Sequence, residues 1–549
     1  MCFSEQELWE AWLKIRNLRK LGSNGISLGA VRLVSNVRPD IVCSVLSRLA
    51  SSVDELRNEQ VLGRVYGKES GMPIPSECRA ILPLSPLLSL IDVMLSTRVL
   101  SWVRSNILPG QGCFIGGLPG TQCLDIGHSI QLIIEKSLDQ KSQGCVATSD
   151  IRRYYDSLNL IRIGRYLVHK GCDPATVAAC VRGQVFVSVS LCLLCIAKPI
   201  QTRTIGCLTG SRVAGAFGHV PVCDAALSCQ ASWREIGWKT SQGSPICLFT
   251  WIDNLYSCSS SVRGSVRILE DIEMHLSSKW GLSYKPCSLS LLVCRGSQDL
   301  PINALKWPVR DTMNVLGHII QNDGGIRCDW HSTEAKMWAC FWANAGSKRA
   351  KQLRPAQKAM LIYRTVLACV LWKVSRWPWQ KTIALELDSI QCRMLMFILP
   401  CIRSDTEDID TFCRRQARQA RNVANQCGLW SIVWAKRIVS WNAHVRRGAS
   451  YAHPVPRLLD HHNAAWLRDQ RSNFVSEFGI RNSVFAGRTG TRLNIGRPQV
   501  RWSDGLSVAV GVSSSRSESQ RGGNSLSIGA RIREAVLALQ ESAARSLSG

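Results

Sequence analysis

The spacing of hydrophobic and polar residues changes along the chain and predicts three kinds of region. Residues 1–70 and a stretch over 87–107 have the 3.6-residue spacing of amphipathic helices. From residue 144 short apolar runs of strand length alternate with helical stretches, and beyond about residue 330 only helical spacing remains. This mixture predicts an α+β fold, in which helices pack on one face of a sheet, followed by a helical region.

Two of the short apolar runs each end within three residues of an aspartate. One covers 145–148 and is followed by Asp150, and the other covers 246–250 and is followed by Asp253. A carboxylate at the end of a buried strand is costly unless water or a cation solvates it. Both aspartates are therefore candidate metal ligands, and the alternative is that each simply caps its strand.

The charge balance indicates what kind of partner the protein binds. The 549 residues include 67 Lys and Arg against 40 Asp and Glu, a formal net charge of +27, while 46% of the residues are hydrophobic. That hydrophobic fraction is too high for a disordered chain. The cationic excess favours a polyanion, because each cation placed at a phosphate releases condensed counterions. Nucleic acid is the preferred interpretation, and a solvated basic surface or an anionic membrane are the alternatives.

The 24 cysteines indicate a reducing, intracellular compartment rather than a disulfide framework. They are scattered through apolar stretches, where a thiol acts as a small core residue, and the first residues do not have the pattern of a secretory signal. Cys192 and Cys195 form a Cys-x-x-Cys pair inside the apolar run 185–197, without a second pair at zinc-site spacing. A buried strand is expected there, and no segment is predicted to span a membrane.

The segments around the two aspartates contain the residues that nucleotidyl transfer requires. In such reactions two magnesium ions, about 4 Å apart, activate the attacking oxygen and stabilise the leaving oxygens. Two carboxylates on adjacent strands are the simplest way to hold the pair. The two segments are Ser149-Asp150-Ile151-Arg152-Arg153-Tyr154-Tyr155-Asp156-Ser157-Leu158 and Trp251-Ile252-Asp253-Asn254.

In this order, the two segments resemble motifs A and C of reverse transcriptases. In motif A of that family an aromatic residue stands five positions after the aspartate, as Tyr155 does after Asp150. Motif C of the family reads Tyr-x-Asp-Asp, and here Asn254 replaces its second aspartate. Leu208-Thr209-Gly210-Ser211-Arg212 resembles motif B, with Thr209 in place of the usual glutamine. Residues 280–286 resemble motif D, and Leu316-Gly317-His318 resembles motif E. Arg79-Ala80-Ile81 is similar to a motif of the fingers. Residues 441–447 and 496–504 resemble C-terminal segments of non-LTR retrotransposon polymerases.

The resemblance implies a right-hand polymerase fold with five consecutive parts. These are an N-terminal helical extension over 1–70, fingers over 71–145, a palm with an antiparallel sheet over 146–325, a helical thumb and connection over 326–450, and a basic, partly flexible tail over 451–549.

The resemblance also implies roles for individual residues of the palm. Asp150 and Asp253 would bind the Mg²⁺ pair, or Mn²⁺, with Asn254 as their catalytic neighbour and the main-chain carbonyl of Ile151 completing one coordination shell. Tyr155 would exclude a 2′-hydroxyl by its bulk and so favour dNTPs. The alternative for Tyr155 is a half-buried core tyrosine.

Three further residues are candidate substrate contacts. Arg79 would bind the triphosphate, for which a forked guanidinium is suited, and a surface salt bridge is the alternative. Gly210 would let the main chain approach the nucleotide closely, and otherwise it is a turn residue. Lys285 would be a general acid for pyrophosphate or a basic residue of the groove.

Basic and aromatic residues of the helical region are candidate nucleic-acid contacts. Arg414, Arg418 and Arg421 are spaced to lie on one helical face, as expected for a template–primer backbone site. Three tryptophans in the same region have the spacing of core residues but could instead pack on bases or sugars (Trp372, Trp377 and Trp379).

Taken together, the resemblance implies an RNA-directed DNA polymerase of the non-LTR retrotransposon type. Its partners would be an RNA template, a DNA primer or target and dNTPs, in the nucleus and the cytoplasm, without a membrane. Asn254 favours one alternative, a catalytically decayed protein that only binds nucleic acid. An RNA-dependent RNA polymerase, which shares the palm carboxylates, is the other.

Overall fold

The computed structural model describes most of the chain up to residue 459. The described residues are 1–15, 17–22, 25–67, 78–110, 112–140, 142–193, 196–200, 205–240, 243–294, 306–345, 350, 352–447, 454–459 and 509. Helices and multi-stranded sheets alternate over these residues, which confirms the predicted mixture of the two. Cys195 and the segment 496–504 lie outside them.

The N-terminal region consists of four helices and one strand. The elements are α1 (Glu5–Lys14), α2 (Leu28–Val37), α3 (Pro39–Ser51), α4 (Val53–Asn58) and β1 (Gln60–Gly67). Ser4, Ser27 and Ser52 cap α1, α2 and α4 by accepting a main-chain N–H with the side chain. The helical prediction for residues 1–70 is therefore wrong at β1, because these residues pair with two other strands.

A four-stranded sheet joins β1 to strands from more distant parts of the sequence. Its other members are β2 (Cys78–Ile81), β5 (Ser188–Leu193) and β6 (Ile196–Ile200), in the order β2-β1-β5-β6. Only the β1–β5 pair is parallel. This sheet combines residues from the predicted extension, fingers and palm, so the five-part division of the chain stays a prediction.

A six-stranded sheet forms the centre of the molecule. Its strands are β3 (Cys113–Gly116), β4 (Cys145–Asp150), β9 (Leu248–Trp251), β10 (Asn254–Ser259), β11 (Ser290–Val293) and β12 (Val309–Arg310). The order is β12-β11-β4-β10-β9-β3, with β12 and β3 parallel to their neighbours and the inner pairs antiparallel. Two hairpins stand beside it, β7 (Trp238–Lys239) with β8 (Pro245–Ile246) and β13 (Thr312–Val315) with β14 (His318–Gln321).

Helices cover both faces of the sheet at its centre, whereas the sequence predicted helices on one face only, and the edge strand β12 is exposed. Along β4, Cys145 and Ala147 face one hydrophobic core, while Val146 between them faces a second core. The first core is shared with helices on the N-terminal side of the molecule: α5 (Pro86–Asn106), α7 (Tyr154–Ser157), α8 (Leu160–His169), α9 (Pro174–Val185), α10 (Arg212–Trp233) and α11 (Val262–His275).

The second core connects the sheet to the C-terminal helices. It is shared with α6 (Cys123–Asp139), α12 (Arg327–Ala345), α13 (Pro355–Thr365), α14 (Lys381–Ile398), α15 (Ile409–Cys427), α16 (Trp430–Arg447) and α17 (Pro454–Leu459). Two short 3₁₀ helices lie between α13 and α14, at Leu367–Cys369 and Val374–Arg376. Beyond β14 the described residues contain no further strand, as the helical spacing predicted.

Helix α5 is long and apolar enough to cross a membrane by length and composition, which the sequence analysis did not predict of any segment. Of its most apolar window, 61% is buried inside the protein. The helix packs against α1, α9 and α10, and this enclosure accounts for its apolar composition.

Candidate active site

The main chains of Asp150 and Asp253 are neighbours at one end of the six-stranded sheet. Strand β4 ends at Asp150, and the antiparallel β10 begins at Asn254, which is its partner in register. The N–H of Ile151 donates to the main-chain carbonyl of Asp253 over 3.0 Å. Asp150, Asp253 and Asn254 are half-buried, and Ile151 is buried. This pairing brings two carboxylates that are about a hundred residues apart in sequence to the same edge of the molecule.

Asp253 is held on a tight and strained turn. Strands β9 and β10 are connected by Ile252 and Asp253 alone, and Ile252 has a φ of 59°. Positive φ is unfavourable for a β-branched residue, so packing must hold it there. A Cβ built on Gly117 would lie 3.2 Å from Cγ1 of Ile252, and one built on Gly218 would lie 3.6 Å from its Cγ2. The isoleucine side chain is thus enclosed by two glycine backbones, which fixes the turn.

Positive φ values outside glycine are concentrated around this site. In the part of the chain that the structure describes, they occur at Arg153, Ile252 and Leu316. Arg153 follows the Asp150 segment, Ile252 precedes Asp253, and Leu316 lies on the hairpin that faces them. Strained backbone of this kind persists only where the surrounding structure holds it in place, and it often occurs at functional sites.

Hydrogen bonds and burial set the electrostatics around Asp253. The side-chain amide of Asn254 donates to Oδ1 of Asp253 over 3.0 Å, so a neutral group stands beside this carboxylate. Burial and the negative charge of Asp253 raise the pKa of Tyr155 to about 12. Burial also raises the pKa of Tyr256, which feels both Asp150 and Asp253. Both phenols are therefore neutral next to the carboxylates at physiological pH.

The segment that contains Lys285 runs along the Asp150 strand. The N–H of Lys285 donates to the carbonyl of Asp150 over 2.8 Å, and the N–H of Arg152 donates to the carbonyl of Ser283 over 2.9 Å. Ser288 accepts the N–H of Asp150 with its hydroxyl over 2.9 Å. The Lys285 side chain is exposed, so its ammonium can reach solvent close to the Asp150 main chain.

Tyr155 lies between Asp253 and helix α10. Its ring is half-buried, and a Cβ built on Gly218 of α10 would be 3.6 Å from its Cε1. The carbonyl of Tyr155 accepts the N–H of Cys207 over 2.9 Å, which ties it to the segment before α10. Its position fits both interpretations of the residue, because one edge is packed and another is exposed.

Gly210 and Arg79 lie on segments that are bonded to each other. The carbonyl of Thr209 accepts the N–H of Leu82 over 3.2 Å, and Gly210 has a φ of 101° immediately before α10. Arg79 belongs to β2, which ends at Ile81, but its side chain lies outside the described residues. The structure thus joins the two segments, and the predicted contact of the guanidinium with a triphosphate stays a prediction.

A cavity of about 440 Å³ opens beside the two strand ends. Asp150 and Asn254 line it on the side of the sheet, and the β13–β14 hairpin lines the opposite side through Asn314, Leu316 and Gly317. The hairpin turn consists of Leu316 and Gly317, both with positive φ (51° and 87°). Hydroxyl-bearing residues complete the lining: Thr148, Ser288, Ser290 and Thr312.

The groups at this end of the sheet, of which Asp150 and Asn254 line the cavity, fit a hard, oxygen-binding cation. Carboxylates of Asp150 and Asp253, the amide of Asn254 and the carbonyl of Ile151 are all oxygen donors, which Mg²⁺ and Mn²⁺ prefer. No cluster of three or more His, Cys, Asp and Glu side chains that could enclose a metal occurs among the described residues. A cation here would need water or substrate oxygens to complete its shell, as Mg²⁺ commonly does.

The basic helical face is present, but on a different part of the molecule. Arg414, Arg418 and Arg421 are exposed on α15, which packs mainly against α13 and α14. None of the three forms an ion pair with a described carboxylate, whereas Arg415 on the same helix pairs with Glu407 over 2.6 Å. The three guanidinium groups are therefore available to an anionic partner.

The three tryptophans of the helical region have different environments. Trp377 and Trp379 are buried in the second core, as predicted for core residues, but they lie between the 3₁₀ helix that ends at Arg376 and α14 rather than on a helix. Trp372 is 42% exposed and lies against the hairpin turn.

Sequence reasoning missed several residues that line the cavity. Ser288 and Asn314 carry no motif signal, and they were recognisable only once the strands were paired. The resemblance of Leu316-Gly317-His318 to motif E was the only sequence signal in the opposite wall.

Comparisons with known proteins give little further information. No protein family model matches the sequence, and no curated protein matches it. Among solved structures, the chain is similar to apo telomerase from Candida Tropicalis truncated from its C-terminal domain, with 10% sequence identity and a TM-score of 0.34 over 47% of this chain and 53% of that chain. The chain therefore spans about half the length of the structure that it matches, and a TM-score of this size does not define a common fold.

Proposed function

We propose that the protein is a template-directed nucleotidyltransferase of the reverse-transcriptase type. Its activity would be that of an RNA-directed DNA polymerase of a non-LTR retrotransposon, which extends a DNA primer on an RNA template with dNTPs. The observation that carries this proposal is the pairing of Asp150 with Asn254, which brings the Asp150 and Asp253 segments together beside a cavity of about 440 Å³. The net charge of +27 supports a nucleic-acid partner.

In this proposal the residues around the cavity divide the work of binding and selection. Asp150 and Asp253 would hold the cations. When bound, a Mg²⁺ pair would activate the primer 3′-hydroxyl and stabilise the leaving pyrophosphate. Tyr155, held between Asp253 and α10, would limit the room beside the sugar and so select dNTPs. Lys285 would supply a proton or a positive charge toward the pyrophosphate from its exposed position.

Asn254 supports a second candidate function, a nucleic-acid-binding protein that has lost catalysis. Its amide donates to Asp253 over 3.0 Å and adds no negative charge, so the site has one carboxylate fewer than the Tyr-x-Asp-Asp pattern supplies. In the active-enzyme proposal, Asn254→Asp would lower the Mg²⁺ concentration needed for half-maximal extension. In the decayed-protein proposal, Asn254→Asp would leave a protein that binds but does not extend.

Primer extension by the purified full-length chain tests the proposal. The substrate is a DNA primer annealed to an RNA template, with dNTPs and either Mg²⁺ or Mn²⁺, and the variants are Asp150→Asn and Asp253→Asn. Asp156→Asn is a matched control, because Asp156 lies in the same segment but is exposed. Extension by the wild type and the control, lost in both site variants, would support the polymerase.

The contrary results separate the two candidate functions. Extension that survives both site variants would show that these carboxylates do not carry the reaction. Tight, salt-sensitive binding of the primed template with no extension by any form would favour the decayed binding protein.

A further inference from the structure

Trp372 is an exposed aromatic side chain held against the wall of the candidate active-site cavity. A Cβ built on Gly317 would lie 2.9 Å from Cη2 of Trp372, so the indole touches the hairpin turn at a position where only glycine leaves it room. Gly317 itself lines the cavity with Asp150 and Asn254. Trp372 therefore packs against a residue of the cavity lining, and 42% of its surface is exposed.

The orientation of the Trp372 ring is fixed from the protein side. Its Nε1–H donates to the carbonyl of Cys369 over 3.0 Å, so the polar edge of the indole is already bonded. The His318 ring lies 5.0 Å away, centroid to centroid, at 59°. Because Nε1–H is already bonded, the exposed side chain offers a partner an aromatic ring without a free polar hydrogen.

The chain directly after Trp372 is anchored in a buried ionic cluster. Lys373 donates to Oδ1 of Asp329 over 2.8 Å, and Arg376 pairs with the other oxygen of the same carboxylate. Arg376 also donates to Nδ1 of His318 over 3.2 Å and to the carbonyl of Ile319 over 3.0 Å. These bonds connect the tryptophan segment to the hairpin strand β14, so the two are positioned together.

We propose that Trp372 packs against the DNA primer strand next to its 3′ end and holds that end toward Asp150 and Asp253. This inference rests on the proposed function, because it takes the cavity as the site of nucleotidyl transfer. The hairpin turn at Gly317 is the contact between Trp372 and the cavity that Asp150 lines. This indirect position suits a contact to the terminal nucleotides of the primer rather than to the incoming dNTP. A rigid aromatic face is a sequence-independent platform for a base or a sugar.

The environments of three other tryptophans argue that this role belongs to Trp372 specifically. Trp377 and Trp379 lie in the second core and present no free face. Trp342 is 56% exposed on α12, where it stacks on Trp338 away from the lining of the cavity. Trp342 is therefore a matched control: a substitution there removes an exposed indole without changing the hairpin.

Equilibrium binding of a fluorescein-labelled DNA primer annealed to an RNA template, without dNTPs, tests the contact. Trp372→Ala is expected to weaken binding by about tenfold, the loss typical of one stacked base, while Trp342→Ala binds as the wild type does. Trp372→Phe, which keeps an aromatic face, is expected to recover part of the affinity. In extension assays Trp372→Ala should raise the KM for primer more than it lowers kcat.

A cross-linking experiment on the unmodified protein removes any dependence on how the variants fold. The primer carries 5-iododeoxyuridine at its 3′ terminus, and the cross-linked peptide is identified by mass spectrometry. An adduct on Trp372 supports the inference. Adducts only elsewhere, together with wild-type binding by Trp372→Ala, would overturn it, and extension by that same protein would leave the polymerase proposal standing. An adduct on Trp372 in a protein that never extends primers would support the contact and contradict the activity.

Discussion

Replacing Asp329 with alanine should destabilise the protein far more than a typical substitution. Asp329 is fully buried and accepts hydrogen bonds from four donors. Its carboxylate binds Nζ of Lys373 over 2.8 Å, the guanidinium of Arg376, Nε1 of Trp377 over 2.9 Å and the N–H of Ile319 over 3.2 Å. Removing the carboxylate takes from two buried cations the counter-charge that they share, although the carboxylate of Glu135 still acts on Arg376.

The magnitude follows from how each cation can respond. Burial lowers the pKa of Lys373, so this ammonium can lose its proton when Asp329 is absent. Arg376 is fully buried and stays charged at any physiological pH, although Gln131 and the carbonyl of Ile319 still accept from it. Breaking a buried pair by removing one partner typically costs about 3–5 kcal/mol, and we expect Asp329→Ala to fall in this range.

Urea unfolding followed by tryptophan fluorescence measures this effect, with Glu386→Ala as the control. Glu386 pairs with Arg327 over 3.2 Å at the surface, where an ion pair contributes about 0–1 kcal/mol. A loss below about 1 kcal/mol for Asp329→Ala, or a loss equal to that of the control, would refute the argument from buried charge.

The pH dependence provides a second check on the same residue. Burial alone raises the pKa of Asp329, but Arg376 and Lys373 outweigh it and hold the pKa below its ordinary value. The stabilisation is therefore present above the unfolded-state pKa and is lost as the pH falls through the folded-state pKa. In urea titrations, the wild-type protein should lose this contribution below about pH 4, and Asp329→Ala should not show that loss.

Three further predictions concern selection of the nucleotide, binding of nucleic acid and acid stability. Tyr155→Ala should increase incorporation of rNTPs relative to dNTPs in competition assays; an unchanged preference would leave Tyr155 as a core residue. Arg414→Glu combined with Arg418→Glu should weaken binding of an RNA–DNA duplex and reduce the slope of log K against log salt by about 2 or more. Arg415→Glu is the control and should change this slope less, because the Arg415 guanidinium is already paired with the carboxylate of Glu407. Burial lowers the pKa of His219 to about 4, so wild-type stability should fall as the pH drops from about 6.5 to 4; His219→Gln should flatten this dependence in urea titrations, and an unchanged slope would contradict the assignment.

The sequence alone located the strand ends that lead into Asp150 and Asp253, but few of the residues that line the cavity. The apolar run before Asp150 becomes β4, with the bounds Cys145–Asp150, because strand length and burial on both faces leave a clear local pattern. The helical stretch at 87–107 corresponds to α5 (Pro86–Asn106) for the same reason. Local periodicity specifies an element whenever its burial is uniform along its length.

Local pattern failed where pairing with distant strands decides the structure. Gln60–Gly67 looks helical in sequence, yet it forms β1 because β2 and β5 supply its hydrogen-bond partners. A partner at such a distance along the chain leaves no trace in the spacing of the strand itself. The same limit hid the contribution of β5 and β6 to the sheet that contains Arg79.

For the candidate site, the sequence determined which residue types are available, and the tertiary structure decided which of them meet. Asp150 and Asp253 were recognisable from motif order, but their closeness depends on the register that pairs Asp150 with Asn254. Trp372, Trp377 and Trp379 are equivalent as a pattern of tryptophans, and only packing separates the exposed one at the hairpin from two in the core. The physical reason is that periodicity encodes which face of an element is buried, whereas contact between elements depends on long-range packing that no local window of sequence contains.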